Sequence, residues 1–214
     1  TSLHQKKKPY QNKYSFLKLR ILYLMIKRRK LTFKKIGNAI HCFYAYLFKF
    51  EKTGRMPMMV SLELTNECNA NCLFCRDTKG AIHNVNPCGP REGIAKGKMP
   101  FEMCVEIIKQ LKEHVLIAVF YTNGEPLLYK HLIDALRFAS DNNVATMIAT
   151  NGILLNETKI LQLLESRIDF IKIALSGYTQ EIYGIQVRNG DIETVKNNIR
   201  LLAIRIEAAN MGLS

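Results

Sequence analysis

Val115-Leu116-Ile117-Ala118-Val119-Phe120-Tyr121-Thr122-Asn123-Gly124-Glu125-Pro126 is an unbroken apolar run that ends in a polar turn. Seven consecutive apolar residues leave no polar face, so the run reads as a strand buried on both sides, as in a parallel sheet covered by helices. The rhythm on either side agrees. Met59 to Leu64 alternates apolar and polar residues and reads as a strand. Pro100 then suits the first turn of a helix whose face carries Phe101, Cys104, Val105, Ile108 and Leu111. Downstream, a helix over 130–142 leads to a strand at 144–149, and a helix capped at Asn156 leads to a strand at 170–175. A last helix starts near Asp191 and runs to about 210–212.

Strands alternating with helices predict βα units and a parallel sheet with helical crossovers. The fold class is α/β, with about four βα units. Four strands cannot close a barrel, and the sequence begins at Thr1, so the chain is expected to be part of something longer.

The charge is placed unevenly. Net charge is +13, yet residues 1–55 hold 15 Lys and Arg against one acid, Glu51, while residues 56–214 hold 16 against 17. Two units are expected: a basic, helical extension over 1–55 and a core domain over 56–214. Residues 1–13 are Lys-rich and aperiodic; Tyr14 to Arg29 reads as one helix. Thr32 caps a second, along which Phe33, Ile36, Ile40, Phe43, Leu47 and Phe50 recur at spacings of three and four. That stripe reads as a packing face against a neighbouring domain, with a membrane surface as the alternative. The basic excess suits an acidic partner, either an anionic membrane or, less well, a nucleic acid; the plain alternative is a solvated basic face. No run reaches the ~18 apolar residues of a spanning helix. No signal-peptide pattern precedes the cysteines, which favours a reducing, cytoplasmic setting, soluble or peripheral to a membrane.

Three of six cysteines fall within eight residues, Cys68-Asn69-Ala70-Asn71-Cys72-Leu73-Phe74-Cys75. Three thiolates on a short loop can hold three corners of an iron–sulfur cubane and leave one iron open. Structural zinc is the competing reading; it needs a fourth ligand from Cys88 or His83. Asn123-Gly124-Glu125-Pro126 follows the second strand. Gly124 permits close backbone approach, Pro126 stiffens the turn, and Glu125 can accept a charge-assisted hydrogen bond from an ammonium group. With Asn151-Gly152 and Ser176-Gly177, four polar turns follow four strands. In a parallel sheet all four share the C-terminal rim, where α/β proteins build their sites. Cys104 and Cys42 read as packing residues.

The cysteine loop after the first strand, with Phe74 before its last cysteine, resembles the signature of the radical S-adenosylmethionine (SAM) superfamily. Asn123-Gly124-Glu125-Pro126 resembles that family's Gly-Gly-Glu-Pro motif, with Asn in place of the first glycine. Thr150-Asn151-Gly152 resembles the turn after its third strand, and the stretch from Ile171 to Gly190, with Ser176 and Arg188, its fourth strand and following loop. The texture is similar to the branch whose members often carry a C-terminal SPASM domain, and the resemblance implies that the four βα units form a partial (β/α) barrel.

This resemblance implies a [4Fe–4S] cluster on Cys68, Cys72 and Cys75, and SAM against Phe74, Asn123, Gly124, Glu125, Pro126, Asn151, Ser176 and Arg188. It implies reductive cleavage of SAM to a 5′-deoxyadenosyl radical that abstracts hydrogen from a substrate, with a peptide or protein expected from the branch resemblance. An electron donor such as flavodoxin or ferredoxin is implied with it. Two rival readings stand beside this one. In the first, the basic helices bind anionic membrane or nucleic acid and the cluster is structural. The second is an electron carrier, which the lack of a fourth cysteine at ligand spacing disfavours.

Overall fold

The computed structural model describes residues 23–72, 97–188 and 190–210. Four strands form one parallel sheet: β1 (Met59–Ser61), β3 (Ile117–Val119), β4 (Ala145–Thr150) and β5 (Phe170–Ile173), side by side in that order. Register runs Met59 to Ile117, Ile117 to Ala145 and Met147 to Phe170. Between the strands lie α2 (Phe101–Leu111), α3 (Leu132–Asp141) and α4 (Glu157–Glu165). The expected α/β partial barrel of four βα units is present; β1, β3 and β5 are two to four residues shorter than the apolar runs predict, and β4 has the expected length shifted by one residue.

Alternation along each strand decides which face is covered. Leu62, Ala118, Phe120 and Ile148 are buried against Cys104 and Ile108 of α2, Leu136 and Ala139 of α3, and Ile160 and Leu163 of α4. Ser61, Glu63, Tyr121 and Lys172 alternate with these and stay exposed or half-buried on the opposite face. Cys104 is a core residue as expected, and burial pushes its thiol up to about 11.

Helix starts follow local chemistry. The Asn156 side chain accepts from the Lys159 amide at 2.9 Å, and the Asp191 carboxylate accepts from the amides of Glu193 and Thr194. Those bonds open α4 and α6 (Ile192–Asn210), respectively. Hydrogen bonding, first from the Thr194 hydroxyl, holds the Asp191 carboxyl below the usual range.

Two features go beyond the sequence reading. A short helix, α5 (Gln180–Gln186), runs into a strand β6 (Val187–Arg188), which pairs antiparallel with β2 (Asn71–Cys72). The small ladder encloses its own apolar cluster of Tyr183, Val187, Ile192 and Val195.

The second is the N-terminal arm. Residues 23–27 are helical, and α1 (Phe33–Leu47) begins at Thr32, whose hydroxyl accepts from the Lys35 amide. The helix expected over 14–29 otherwise lies outside the described residues. The arm docks on the N-terminal ends of the strands through polar groups. Lys30 Nζ donates to Asp169 Oδ2 at 2.6 Å, Ser140 Oγ at 3.0 Å and the Val144 carbonyl at 3.2 Å, using all three of its donors. Arg28 donates to Asp169 Oδ1 at 2.8 Å and to the carbonyls of Arg167 and Ile168. Lys35, 1% exposed, donates to the Asn143 carbonyl at 2.7 Å, and Asn38 to those of Met56 and His114. Burial lowers Lys30 and brings Lys35 down to about 8.

The helix therefore packs the reverse of the way its pattern suggests. Lys35, Asn38 and Ala45 are its buried residues, while Phe33, Ile36, Ile40, Phe43 and Leu47 point outward. The sheet's lower rim offers unpaired carbonyls and one carboxylate, which select the polar face.

Candidate active site

At the other rim, three turns interlock. Gly124 sits at φ 71°, in the left-handed region that glycine tolerates. A Cβ there would lie 2.5 Å from the Thr65 carbonyl oxygen and 2.7 Å from that of Glu67. Only glycine lets the turn after β3 press this closely on the chain leading to Cys68. The Glu125 amide then donates to the Glu67 carbonyl at 2.7 Å, and the Asn123 side chain to Glu63 Oε2 at 2.7 Å.

Glu125 turns inward and is 1% exposed. Its Oε1 accepts from the Thr150 hydroxyl at 2.8 Å and the Leu127 amide at 3.1 Å; its Oε2 accepts from the Asn151 amide at 2.9 Å. An ionised carboxylate offers about four acceptor positions, so one on Oε2 remains. No cation pairs with it among the described residues. Burial pushes its carboxyl up, against the downward pull of the three donors. Pro126 opens a 3₁₀ turn, Pro126–Leu128, which fixes the Leu127 donor.

Asn151 closes the web. Its Nδ2 lies 2.9 Å from Asn69 Oδ1 and 3.7 Å from Cys68 Sγ, while its Oδ1 accepts from the Ile153 amide. The Ala70 amide also points at Cys68 Sγ, at 3.4 Å. The Cys68 thiol is exposed and Cys72 half-buried, neither in a disulfide. Through β2 and β6, Cys72 pairs with Val187, and Arg188 stands opposite Asn71, so the ladder ties the cysteine loop to Arg188. Ser176 is half-buried just past β5.

The structure thus brings together Cys68, Cys72, Asn123, Gly124, Glu125, Pro126 and Asn151, with Arg188 laddered to the loop. Phe74 and Cys75 lie outside the described residues, as does Cys88. Two contributors escaped the sequence reading: Thr150 as a buried partner of Glu125, and Glu63 as a partner of Asn123. Glu63 follows from strand alternation, which sets it on the face opposite Leu62 and Leu64.

The sequence pattern of the Radical SAM superfamily matches residues 62–211. The chain belongs to the radical SAM superfamily. It is 28% identical over 153 residues to a probable GTP 3′,8-cyclase of Methanocaldococcus jannaschii, covering 70% of this chain and 47% of that protein. It is 24% identical over 127 residues to the PqqA peptide cyclase of Bradyrhizobium diazoefficiens, covering 59% and 30%. Among solved structures, the fold matches Streptococcus suis SuiB bound to S-adenosylmethionine, with TM-score 0.51, 18% identity and coverage of 68% and 30%. SuiB bound to precursor peptide SuiA gives 0.53, 16%, 76% and 34%. The chain spans less than half the length of these curated relatives.

Radical SAM proteins use a [4Fe–4S] cluster and SAM. The residues present suit both. Two N–H groups converge on Cys68 Sγ and fix its position, and thiolate sulfur is the ligand that iron–sulfur clusters take. The buried Glu125 carboxylate, with no cation partner among the described residues, supplies negative charge beside the cysteine loop.

Proposed function

We propose that residues 56–214 form the SAM-cleaving core of an enzyme, carrying the cluster on Cys68, Cys72 and Cys75, with residues 1–55 as a separate basic arm. The observation that carries this reading is the buried Glu125, without a cation partner among the described residues and hydrogen-bonded to the turn whose Asn151 side chain reaches Cys68. When bound, the cluster and SAM supply reductive cleavage of a sulfonium C–S bond and, from it, hydrogen abstraction.

The chain's own part is binding and orientation. Glu125 offers charge for the ammonium of the methionyl group, acting from beneath the turn formed by Asn123, Gly124 and Pro126. Asn151 and the Ala70 amide hold the Cys68 sulfur in place. Phe74 would contribute to the adenine side of the bound cofactor, and Ser176 and Arg188 would hold its ribose or carboxylate. Phe120 and Leu127, on either side of the turn, belong to the buried core, and Glu125 itself is 1% exposed, so water is kept from its carboxylate.

A peptide or protein is the proposed substrate, because one similar protein is a PqqA peptide cyclase and the matching fold of SuiB occurs with a precursor peptide. The likeness to a GTP cyclase makes a nucleotide the second reading. Flavodoxin or ferredoxin is the proposed electron donor.

Anaerobic reconstitution tests the cysteines. The chain should take up about four irons with matching sulfide, and Cys68→Ala, Cys72→Ala or Cys75→Ala should each abolish uptake. Stoichiometric zinc without iron or sulfide overturns the reading. Equilibrium dialysis against SAM tests Glu125: Glu125→Gln should keep the cluster and lose about tenfold or more in affinity.

A further inference from the structure

We propose that the outward face of α1 is a membrane-docking surface, which lays the arm along the headgroup region of an anionic bilayer. The reading is independent of any cluster.

Phe33, 93% exposed, heads a stripe with Ile36, Ile40, Phe43, Tyr44 and Leu47, all exposed. These positions repeat every three or four residues, so they share one side of the helix. Large contiguous apolar patches are rare on soluble proteins and mark sites of interaction. Here the helix's polar side is already consumed by the sheet through Lys35 and Asn38. What remains to the outside is apolar.

Charge selects the occupant. Lys27, Arg29, Lys49, Lys52 and Arg55 are exposed and make no ion pair with any described residue. They flank the stripe in sequence on both sides, and the single acid of residues 1–55 is Glu51. Apolar side chains bordered by Lys and Arg suit a helix lying in an anionic interface. A nucleic acid would use the cations but leave Ile36, Ile40 and Leu47 in water. At 15 residues, α1 is about 22 Å long, short of the ~30 Å hydrocarbon core, so it lies along the surface and does not cross it.

The placement also sets orientation. α1 is anchored at the starts of the strands, through the carbonyls of His114 and Asn143, while Cys68 and Glu125 lie past their ends. Docking by α1 leaves the site rim pointing away from the bilayer, open to a substrate arriving from water.

Flotation of the full chain with vesicles tests this. With phosphatidylserine–phosphatidylcholine vesicles the chain should float, and with pure phosphatidylcholine it should float far less. The triple substitution I40S/F43S/L47S should weaken binding at least about a hundredfold. K49E/K52E/R55E should remove the preference for anionic vesicles, since each near-surface cation is worth about fivefold. Circular dichroism should show both variants folded, because none of these side chains is buried. Failure of the unaltered chain to float, as when residues 1–22 cover the face, overturns the proposal. So does flotation that survives I40S/F43S/L47S. A chain that does not float but retains single-stranded RNA assigns the arm to nucleic acid. One that sediments as a dimer, made monomeric by the serines, assigns the face to a second copy.

Discussion

Each rim of the sheet contains a buried acid, and the two are served differently. Asp169, at the strand starts, meets two cations, Arg28 and Lys30, and also accepts from the Thr146 amide and hydroxyl. Glu125, past the strand ends, meets only neutral donors among the described residues: two amides and one hydroxyl. The first is an internally neutralised clasp, complete without any ligand. The second leaves charge uncompensated where burial opposes it, and such groups mark sites where a charged ligand finishes the structure. Stability is concentrated at one end, capacity for binding at the other.

Asp169→Asn tests that contrast most severely. It strands Arg28 and Lys30 without a counter-charge and should cost about 3–5 kcal/mol in thermal or urea unfolding. A cost below about 1 kcal/mol would mean the cations do not depend on Asp169. Glu125→Gln should cost less, about 1–3 kcal/mol, since an amide cannot accept from all three donors. It alone should also lose the rise in melting temperature that SAM gives. If Asp169→Asn loses that rise equally, the two rims are not functionally distinct.

A pH titration sharpens the lower rim. Lys35 falls to about 8 from its usual 10.5, so the folded chain binds fewer protons than the unfolded one between those values. Its contribution to stability should therefore rise from about pH 8 to pH 10.5, as the cost of burying the ammonium is relieved. Lys30, also lowered by burial, and Cys104, raised by it, titrate in both proteins, so the test is the difference: the unaltered chain should gain stability relative to Lys35→Met over that window. Smallest of all, I40S/F43S/L47S should change stability by about 0.5 kcal/mol per site or less, because those side chains touch little of the domain. A large loss would mean the outward face is packed after all.

How much of this the sequence disclosed depends on the range of the forces involved. Caps at Thr32 and Asn156, the strand–helix alternation and the rim turns are local and were readable from residue order. The β2–β6 ladder was not, since Cys72 and Val187 are brought together by tertiary packing and neither segment has length enough for a period. The face that α1 buries was read in reverse. Its stripe is genuine, but which side is covered depends on the carbonyls of His114 and Asn143, far along the chain. Glu125 was singled out from its turn; that Thr150 and Leu127 close over it is visible only in three dimensions.

The polar seating of the arm has a practical outcome. Lys49, Lys52 and Arg55 lie in exposed, non-helical chain between α1 and the first strand, where trypsin cuts readily. Severing that connection removes the covalent link but not Lys30, Arg28 or Lys35 from their seats. A preparation that runs as two bands on a denaturing gel should still elute as one particle, and should come apart only when salt or acid dissolves the contacts with Asp169.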